Sequence, residues 1–463
     1  MILYFLYLLM RVFSLFILWY VVVIASIGIL QMLYALYLAP RHVARAGSFE
    51  YSIMGASENV PPISLIVPAY NNEDNIVESI KLMLNLNYLN YEIVVVNDGS
   101  TDSTLDTIID AFSLHKTTYP IREQLATKKT RGVYYNPDIP RLRLVDKENG
   151  GRSDALNTGI NFSRFPYFVS ADADCQLDAN ALVHIGMAFM HNKYTVSVGG
   201  IIRISNDYSV EDGKDTNISD NIWVRLQTLE YFRSFLLARI GWNSIDSMLI
   251  VNNFFGAFQK SVVIQMGGYT PGIAGQDMDL VIKLHRYMRG KKYKYRVSFL
   301  PYPIWWTAVP DSLHALFRQR RRWQVGLLDI FRRYREMMLK PRYGVPGMLV
   351  MPYHFLVEVV NPCIELLGYV AIPLAWYFGF LTVESLILFF TASFAFGMIT
   401  SMGALVVEDF THPKLLKIKD AVRLSFLCIA ENLFYRQLTL AFRLIAILSY
   451  QQYKQAGLKR QKK

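Results

Sequence analysis

The chain has 463 residues, a net charge of +11 and 52% apolar residues, with a positive mean hydropathy. This length allows one large domain with membrane segments, or two to three ordinary domains. No zinc-finger spacing or aromatic RNA-binding strand accompanies the positive charge, and the basic residues cluster near apolar segments, so nucleic acid is not an expected partner. The three cysteines are widely spaced, which argues against a disulfide framework.

Residues 1–40 contain a single charge, Arg11, and exceed the roughly 20 apolar residues that span a bilayer. A signal peptide is the alternative, but the run is too long and lacks a small-residue cleavage site. The pattern therefore predicts a retained transmembrane helix over residues 1–40. Basic residues follow it directly, at Arg41 and Arg45, so its C-terminal end is predicted to be cytoplasmic.

Between residues 60 and 310, short β-rich runs alternate with helical ones. Strands are predicted at 63–67, 91–96, 141–145 and 167–171, with helices at 75–86 and 102–112. Such alternation predicts an α/β domain with a mostly parallel sheet, whose ligands bind at the carboxyl ends of the strands. Tyr70, Asp98 and Asp172 follow three of these strands. Each alone is compatible with an ordinary turn residue, but together they favour a binding site.

Residues 311–345 are predicted to form amphipathic helices at a membrane surface. Gln319, Arg322 and Trp323 lie at i, i+3 and i+4, so they share one face of a helix. A basic helix held only by anionic lipid is the alternative interpretation of these three residues. Five further arginines are expected to face anionic lipid: Arg318, Arg320, Arg321, Arg332 and Arg333.

Residues 346–410 are predicted to form a transmembrane hairpin. The stretch 355–378 is apolar except for Glu358 and Glu365, and 385–407 carries no charge. The short link between them lacks Lys and Arg, whereas lysines follow the second stretch, so the tip is predicted to lie outside. The two glutamates either face a protein-lined or watery path or lie near the interface.

Residues 411–463 are predicted to form re-entrant or interfacial helices followed by a basic cytoplasmic tail. The stretch 421–449 is apolar with scattered charges, and basic residues flank it on both sides. A single crossing would leave one basic flank outside the cytoplasm, which the distribution of positive charge disfavours.

Several motifs resemble those of family-2 inverting glycosyltransferases, which have a GT-A fold with a Rossmann-like, mostly parallel sheet. The motifs are Pro68-Ala69-Tyr70-Asn71-Asn72-Glu73, Val96-Asn97-Asp98-Gly99-Ser100-Thr101-Asp102, Gly150-Gly151-Arg152-Ser153-Asp154-Ala155-Leu156-Asn157, Asp172-Ala173-Asp174, residues 251–258 with Gly267-Gly268-Tyr269, Gln276-Asp277-Met278-Asp279-Leu280, and Gln319 with Arg322 and Trp323. The resemblance covers residues 60–340 by motif. With the apolar flanks, the arrangement is similar to that of the processive synthases of cellulose, hyaluronan, chitin and poly-N-acetylglucosamine.

The resemblance implies a binding site for the donor nucleotide. It places Pro68 and Tyr70 in this site, with the Tyr70 ring against the uracil, and implies that Asp98 hydrogen-bonds the base. Arg152 stands where the family has lysine, and its guanidinium would neutralise the diphosphate or secure Asp172.

The resemblance also implies the metal, the base and the acceptor site. Asp172 and Asp174 would hold Mg²⁺ or Mn²⁺, whose charge offsets that of the departing diphosphate. Asp277 would be the catalytic base that deprotonates the acceptor hydroxyl. The implied diphosphate and acceptor contacts are Gln319, Arg322 and Trp323, with Phe255, Gly256 and Gln276 on the acceptor side.

Gln276 departs from the family, which has glutamate before the base. The amide removes a negative charge that would raise the pKa of the neighbouring carboxylate. This is the only feature that favours a non-catalytic membrane subunit with a glycosyltransferase fold.

The sequence therefore predicts a metal-dependent, processive, inverting β-glycosyltransferase in the plasma membrane, with a cytoplasmic catalytic domain. It would polymerise the sugar of UDP-glucose or UDP-N-acetylglucosamine and export the polysaccharide, alone or with accessory export subunits. A single-transfer enzyme acting on a lipid or polyprenyl acceptor is the alternative. No motif distinguishes the donor sugars.

Overall fold

The computed structural model describes residues 2–46, 55, 57–121, 123–173, 176–206, 218–251, 256–412, 417–452 and 454. Three sequence predictions fall outside the described residues, namely the metal ligand Asp174, the acceptor-side residue Phe255 and most of the basic tail.

One mixed sheet forms the centre of the described structure. Its strands are β1 Ile63–Ala69, β2 Tyr91–Asn97, β3 His115–Thr117, β4 Thr130–Tyr135, β5 Leu142–Lys147, β6 Tyr167–Ser170, β7 Gln176–Leu177, β8 Thr195–Ile204, β9 Gly256–Gln259 and β10 Arg296–Thr307. Their order across the sheet is β3-β4-β5-β2-β1-β6-β9-β8-β10-β7. The strands β1, β2, β5, β6, β8 and β10 point the same way.

The four predicted strands are present as β1, β2, β5 and β6, and they pair in parallel around β1. They are apolar because both faces of the sheet are covered. Along β1, Leu65 and Val67 pack into one apolar cluster and Ile66 packs into another, as the alternation of side chains across a strand requires. The predicted parallel arrangement is supplemented by antiparallel ladders, notably the β3–β4 pair at one edge and β9 between β6 and β8.

Helices cover the sheet and join its strands. In the domain that contains the sheet they are α2 Ile76–Leu84, α3 Thr104–Ala111, α4 Arg152–Phe162, α5 Ala181–His191, α6 Ile222–Tyr231, α7 Ala238–Asn243, α8 Lys260–Gln265 and α9 Gln276–Gly290. A π-helical turn, Phe232–Leu237, joins α6 to α7. The amphipathic helix α10, Leu313–Arg333, follows β10 and buries Leu316 and Ile330 while Arg318 and Arg322 remain exposed.

Among the described residues, three helical segments are long and apolar enough to cross a membrane, by length and composition: Arg11–Leu38, Pro346–Tyr377 and Val383–Thr411. The first lies within α1, Ile2–Ala46. The second comprises the π-helical turns Pro346–Val350 and Leu356–Val360 with α11, Met351–Phe355, and α12, Asn361–Tyr377; the third is α13, Val383–Thr411. Helices α1 and α13 approach each other so closely that a Cβ added to Gly403 would lie 1.9 Å from the Met32 Sδ.

The last apolar stretch is one uninterrupted helical run. It consists of α14, Ile418–Ala430, a π-helical turn, Glu431–Tyr435, and α15, Arg436–Leu448. Helix α15 packs along α10, where the Phe317 and Phe442 rings lie 5.0 Å apart edge to face. The C-terminal run therefore supports the helix that carries Gln319, Arg322 and Trp323.

Candidate active site

The loop after β1 presents Tyr70 to solvent at the carboxyl edge of the sheet. The Tyr70 ring is 48% exposed. Its loop is fastened to the one after β2, since the Asn71 amide donates to Ser100 Oγ at 3.1 Å and the Asn72 amide donates to Thr104 Oγ1 at 2.8 Å. An exposed aromatic ring on a fixed loop can stack against a planar base.

Asp98, at the end of β2, is buried and bound within the protein. Its carboxylate pairs with Lys147 Nζ at 2.7 Å and accepts hydrogen bonds from the Gly150 and Gly151 amides at 3.0 and 2.7 Å. A carboxylate has about four acceptor positions, so these three donors leave about one for a nucleotide base. Asp98 therefore shapes the glycine turn in addition to any contact with a base.

Lys147 is fully buried at the end of β5 and pairs with both Asp98 and Asp154, the latter at 2.6 Å. It joins β2, β5 and α4 at the edge of the sheet where the site lies. No sequence motif indicated Lys147, although it lies at a strand end as Tyr70, Asp98 and Asp172 do. A buried lysine with two carboxylate partners keeps its charge compensated.

The turn Gly150-Gly151 leads directly into α4, whose first residue is Arg152. Gly151 has a φ of 84°, a left-handed conformation that disfavours residues with a side chain. This turn aims the start of α4 at the end of β6, where Asp172 lies.

Arg152 connects three of the predicted site residues. Its Nε donates to Asp172 Oδ1 at 2.8 Å, and its Nη2 lies 2.8 Å from the same oxygen. Its Nη1 donates to Gln276 Oε1 at 3.1 Å and lies 3.6 Å from Asp277 Oδ1. Residues that are far apart in the sequence, at the starts of α4 and α9 and at the end of β6, thus form one polar cluster.

The two carboxylates in this cluster have different environments. Burial raises the pKa of Asp277 to about 7 against the opposing effect of Arg152, and the charge of Asp172 adds to the rise. Burial works against the charge of Arg152, but Asp172 and Asp277 outweigh it and raise the pKa of the guanidinium. Asp277 is therefore poised to accept a proton near neutral pH, as a general base requires.

Helix α10 packs directly on the loop that precedes Asp277. A Cβ on Gly326 would lie 3.0 Å from the Gly275 amide nitrogen and 3.1 Å from the Ala274 carbonyl carbon. Trp323 is one turn before Gly326 and shares its face of the helix. Trp323 therefore lies on the side of α10 that packs on the loop before Asp277.

Arg320 also contacts Trp323, since its guanidinium carbon lies over the indole ring, 4.6 Å from the ring centroid. Arg320 is only 5% exposed and makes a two-pronged pair with Glu230 at 2.6 and 2.8 Å, while Tyr435 donates to Glu230 at 2.9 Å. Burial tends to raise the pKa of Glu230, but the charges of Arg320 and Arg233 hold it below its usual value. The expectation that Arg320 faces lipid is therefore wrong, because it turns inward to a buried carboxylate that the helical periodicity could not reveal.

The other predicted acceptor-side positions lie near this cluster or along α10. Gly256 begins β9 and pairs with Ser170 at the end of β6, two residues before Asp172. Gln319 is partly buried on α10, with its Oε1 enclosed, and Arg322 is exposed. Among the residues that the structure describes, Asp172 and Asp277 form their ion pairs with Arg152, and neither Arg322 nor Trp323 hydrogen-bonds to them.

Asp172 suits a divalent cation, because Mg²⁺ and Mn²⁺ prefer carboxylate oxygens and the Asp172 side chain is 22% exposed at the mouth of the cluster. In the described part of the chain, no three His, Cys, Asp or Glu side chains form a preformed metal cluster. The second carboxylate of this motif, Asp174, lies outside that part. The chemistry of the donor set fits a cation shared between the protein and a diphosphate.

Models of two related families match the chain. Glycosyl transferase family 2 matches residues 64–245, and glycosyl transferase family group 2 matches residues 172–407, just over half of the chain. Together with the polar cluster at the sheet edge, these matches define a glycosyltransferase. The chain belongs to the family 2 glycosyltransferases.

Two staphylococcal relatives carry the same name. The chain is 28% identical over 264 residues to the poly-beta-1,6-N-acetyl-D-glucosamine synthase of Staphylococcus aureus, a match that covers 57% of this chain and 54% of the synthase. It is 25% identical over 281 residues to that of Staphylococcus epidermidis, covering 60% and 58%. The chain therefore matches just over half the length of these relatives.

A solved structure with a similar fold is the mannosyltransferase PcManGT from Pyrobaculum calidifontis, in complex with GDP-Man and Mn²⁺. It superposes with a TM-score of 0.52 at 16% sequence identity, covering 91% of this chain and 98% of PcManGT. At this identity the similarity establishes the fold alone. The predicted GT-A fold is confirmed.

Proposed function

We propose that this chain is a membrane-bound, processive, inverting β-glycosyltransferase that polymerises N-acetylglucosamine from UDP-N-acetylglucosamine. The observation that carries the proposal is the Arg152 cluster, which joins a carboxylate suited to a metal–diphosphate complex to a second carboxylate with a pKa of about 7. The choice of sugar rests on the staphylococcal relatives. Glucose is the alternative donor.

The donor would lie along the carboxyl edge of the sheet. Tyr70 would stack on the uracil, and Asp98 would use its remaining acceptor position for the base while it holds the Gly150-Gly151 turn. Arg152 would contact the diphosphate, because a guanidinium can bind phosphate oxygens in two-pronged fashion. When bound at Asp172 with Asp174, Mg²⁺ or Mn²⁺ would supply the charge that offsets the departing diphosphate.

Asp277 would take the proton from the acceptor hydroxyl as the acceptor oxygen attacks the anomeric carbon. The new carbon–oxygen bond forms on the face opposite UDP. The bond from the anomeric carbon to the diphosphate oxygen breaks with its electron pair, and UDP leaves. Attack from the opposite face inverts the configuration and gives a β-linkage from the α-linked donor.

Trp323 would support the sugar at the acceptor end, since an aromatic ring packs against the apolar face of a sugar. Trp323 lies on the same face of α10 as Gly326, and Gly326 packs on the loop before Asp277, which supports this role. Gln319 and Arg322 would bind the diphosphate or the acceptor from the same helix. Phe255, Gly256 and Gln276 would complete the acceptor side.

The apolar helices support a location in the plasma membrane and export through the protein. Glu358, within the candidate span Pro346–Tyr377, pairs with Arg443 at 3.0 Å, and both side chains remain partly exposed. Charged side chains at membrane depth favour a protein-lined polar path over contact with lipid. In this proposal the catalytic domain is cytoplasmic and the polymer leaves along that path.

The direct test is release of UDP by the full chain in lipid nanodiscs with Mn²⁺ or Mg²⁺. UDP-N-acetylglucosamine and UDP-glucose are offered separately, and Asp277→Asn is compared with Asp138→Asn, which changes an exposed aspartate far from the cluster. Turnover with UDP-N-acetylglucosamine that falls at least about a hundredfold in Asp277→Asn alone supports the proposal. Wild-type protein that turns over neither donor, or an active Asp277→Asn variant, would contradict it.

A further inference from the structure

A cleft of about 530 Å³ lies away from the polar cluster described above. Its walls are the C-terminal end of α9, the residues that lead into β8 and β10, and the turn around Arg342 and Gly344. The motifs that predicted the donor and acceptor sites include none of these residues.

The cleft is strongly basic. Its lining includes five cationic side chains and one carboxylate: Arg289, Lys292, Lys294, Arg296, Arg342 and Asp246. Asp246 is already paired with Arg296 at 3.1 Å. Within the described residues, Lys292, Lys294 and Arg342 have no carboxylate partner. The cleft therefore retains an excess of about four positive charges.

Neutralisation of the C-terminal end of α9 does not account for this charge. A helix C-terminus carries about half a negative charge, which a single cation offsets. Arg289 alone belongs to the last turn of α9. Lys294 precedes β10, Arg296 is its first residue, and Arg342 comes from a different turn.

The floor of the cleft is held in place. Arg289 donates from Nε to the Tyr295 hydroxyl at 3.2 Å and lies against the backbone of Gly344, where a Cβ would be 3.3 Å from its Nη1. Lys292 has a φ of 59°, a conformation unfavourable for a residue with a side chain. Hydrogen bonds from the Lys292 and Tyr293 amides back to the end of α9, at 3.0 and 2.9 Å, maintain it.

The cleft is separate from the candidate active site. Val169 of β6 and Val198 of β8 both pair with Ala257, so they lie at the same height in the sheet. Asp172 lies three residues beyond this level, toward the carboxyl ends of the strands. Thr195, which follows the cleft residue Tyr194, lies three residues before it, toward the amino ends. At ~3.3 Å per residue, the two sites are roughly 20 Å apart along the strands.

The cleft adjoins a segment that is suited to the membrane. Gly344, on its wall, is two residues before Pro346, where a candidate span begins. An excess of cations at the end of a membrane span is typical of the cytoplasmic surface, where phosphate groups of anionic lipids concentrate.

We propose that this cleft binds a phosphate-bearing anion at the membrane surface. Arginine and lysine side chains without carboxylate partners are the groups that recognise phosphate, and the fixed Arg289 provides a planar donor among more mobile lysines. The phosphate belongs to a lipid headgroup or to a soluble phosphate compound, which share this chemistry. The proposal rests on the membrane location proposed above but not on transferase activity.

The test measures binding by the full chain in neutral detergent. The probes are fluorescent phosphatidylglycerol, fluorescent phosphatidylcholine and pyrophosphate. The cleft variant Lys292→Gln/Lys294→Gln/Arg342→Gln is compared with Lys81→Gln/Lys116→Gln/Arg131→Gln, which removes the same charge from exposed residues of α2, β3 and β4. Circular dichroism and thermal unfolding establish that both variants are folded.

We expect the cleft variant to weaken binding of phosphatidylglycerol or pyrophosphate at least tenfold and the control variant to weaken it less than twofold. Loss for phosphatidylglycerol alone assigns the phosphate to a lipid headgroup, and loss for pyrophosphate assigns it to a soluble compound. Unchanged binding of both probes in the cleft variant, or an equal loss in the control variant, would overturn the proposal. A loss for phosphatidylglycerol that phosphatidylcholine shows equally, without a loss for pyrophosphate, would also overturn it.

Discussion

The Arg152 guanidinium contacts one carboxylate oxygen of Asp172 through both Nε and Nη2, each at 2.8 Å. The contact joins the first residue of α4 to the end of β6. The same guanidinium also lies 3.6 Å from Asp277 Oδ1. Arg152, which would contact the departing diphosphate, is therefore also an ion-pair partner of the proposed base.

Replacement of Arg152 tests this link. Arg152→Lys keeps the charge but cannot contact Asp172 and Gln276 together, so we expect kcat/KM for the donor to fall about tenfold. Arg152→Met removes the charge and should lower it at least about a hundredfold. Steady-state release of UDP measures both effects. Equal activity of the two variants would show that the charge of Arg152 is irrelevant.

The pH dependence of the reaction should report Asp277. Its pKa is raised to about 7, so the carboxyl is largely protonated below that pH and cannot act as a base. We expect kcat/KM to rise with pH through an acidic limb near 7. Gln276→Glu adds a negative charge beside Asp277 and should move that limb to higher pH. An unchanged limb in Gln276→Glu would exclude Asp277 as its origin.

Helix α10 packs closely on the loop that contains Ala274 and Gly275, so a larger side chain at Gly326 should disturb this packing. Gly326→Val adds a branched side chain where even a Cβ would lie 3.0 Å from backbone atoms, at a cost of about 1–3 kcal/mol. We expect at least a tenfold loss of kcat/KM as the Trp323 face moves away from Asp277. Gly368→Ala, whose Cβ would meet only ordinary contacts at 3.6 Å, is the control and should retain activity.

The buried pair of Glu230 and Arg320 should matter to stability. Glu230→Gln leaves a nearly buried guanidinium without its charge partner and should lower the free energy of unfolding by about 3–5 kcal/mol. Glu336→Gln breaks an exposed pair with Arg286 and should cost less than about 1 kcal/mol. Thermal unfolding in detergent compares the two variants. Equal shifts would show that Glu230 and Arg320 do not form a stabilising pair.

The sequence predicted those parts of the fold that depend on local pattern. The strands β1, β2, β5 and β6 are apolar runs that end at turn residues, and the amphipathic helix is present as α10, which buries Leu316 and Ile330. The edge pair β3–β4 and the inserted β9 were missed, because β3 is short and exposed and the antiparallel position of β9 depends on neighbours far along the chain.

The candidate site was predicted as a set of residues, and of its contacts only that of Arg152 with Asp172 was among the expectations. Strand ends indicated Tyr70, Asp98 and Asp172, yet the pairing of Asp98 with Lys147 and the reach of Arg152 to Gln276 arise from tertiary packing. The position of Arg320 likewise depends on a tertiary contact that the sequence pattern does not indicate. Its neighbours on the helix suggested a lipid-facing residue, whereas the carboxylate of Glu230 from α6 turns it inward.

The most direct test of the account is the size of the product made by the full chain in nanodiscs from radiolabelled UDP-N-acetylglucosamine, sampled while most enzyme molecules have not yet released a chain. Processive synthesis predicts long polymer from the earliest time points, with none formed by Asp277→Asn. A product that carries one added sugar, or a labelled lipid, would contradict processive synthesis and assign the chain to single transfer.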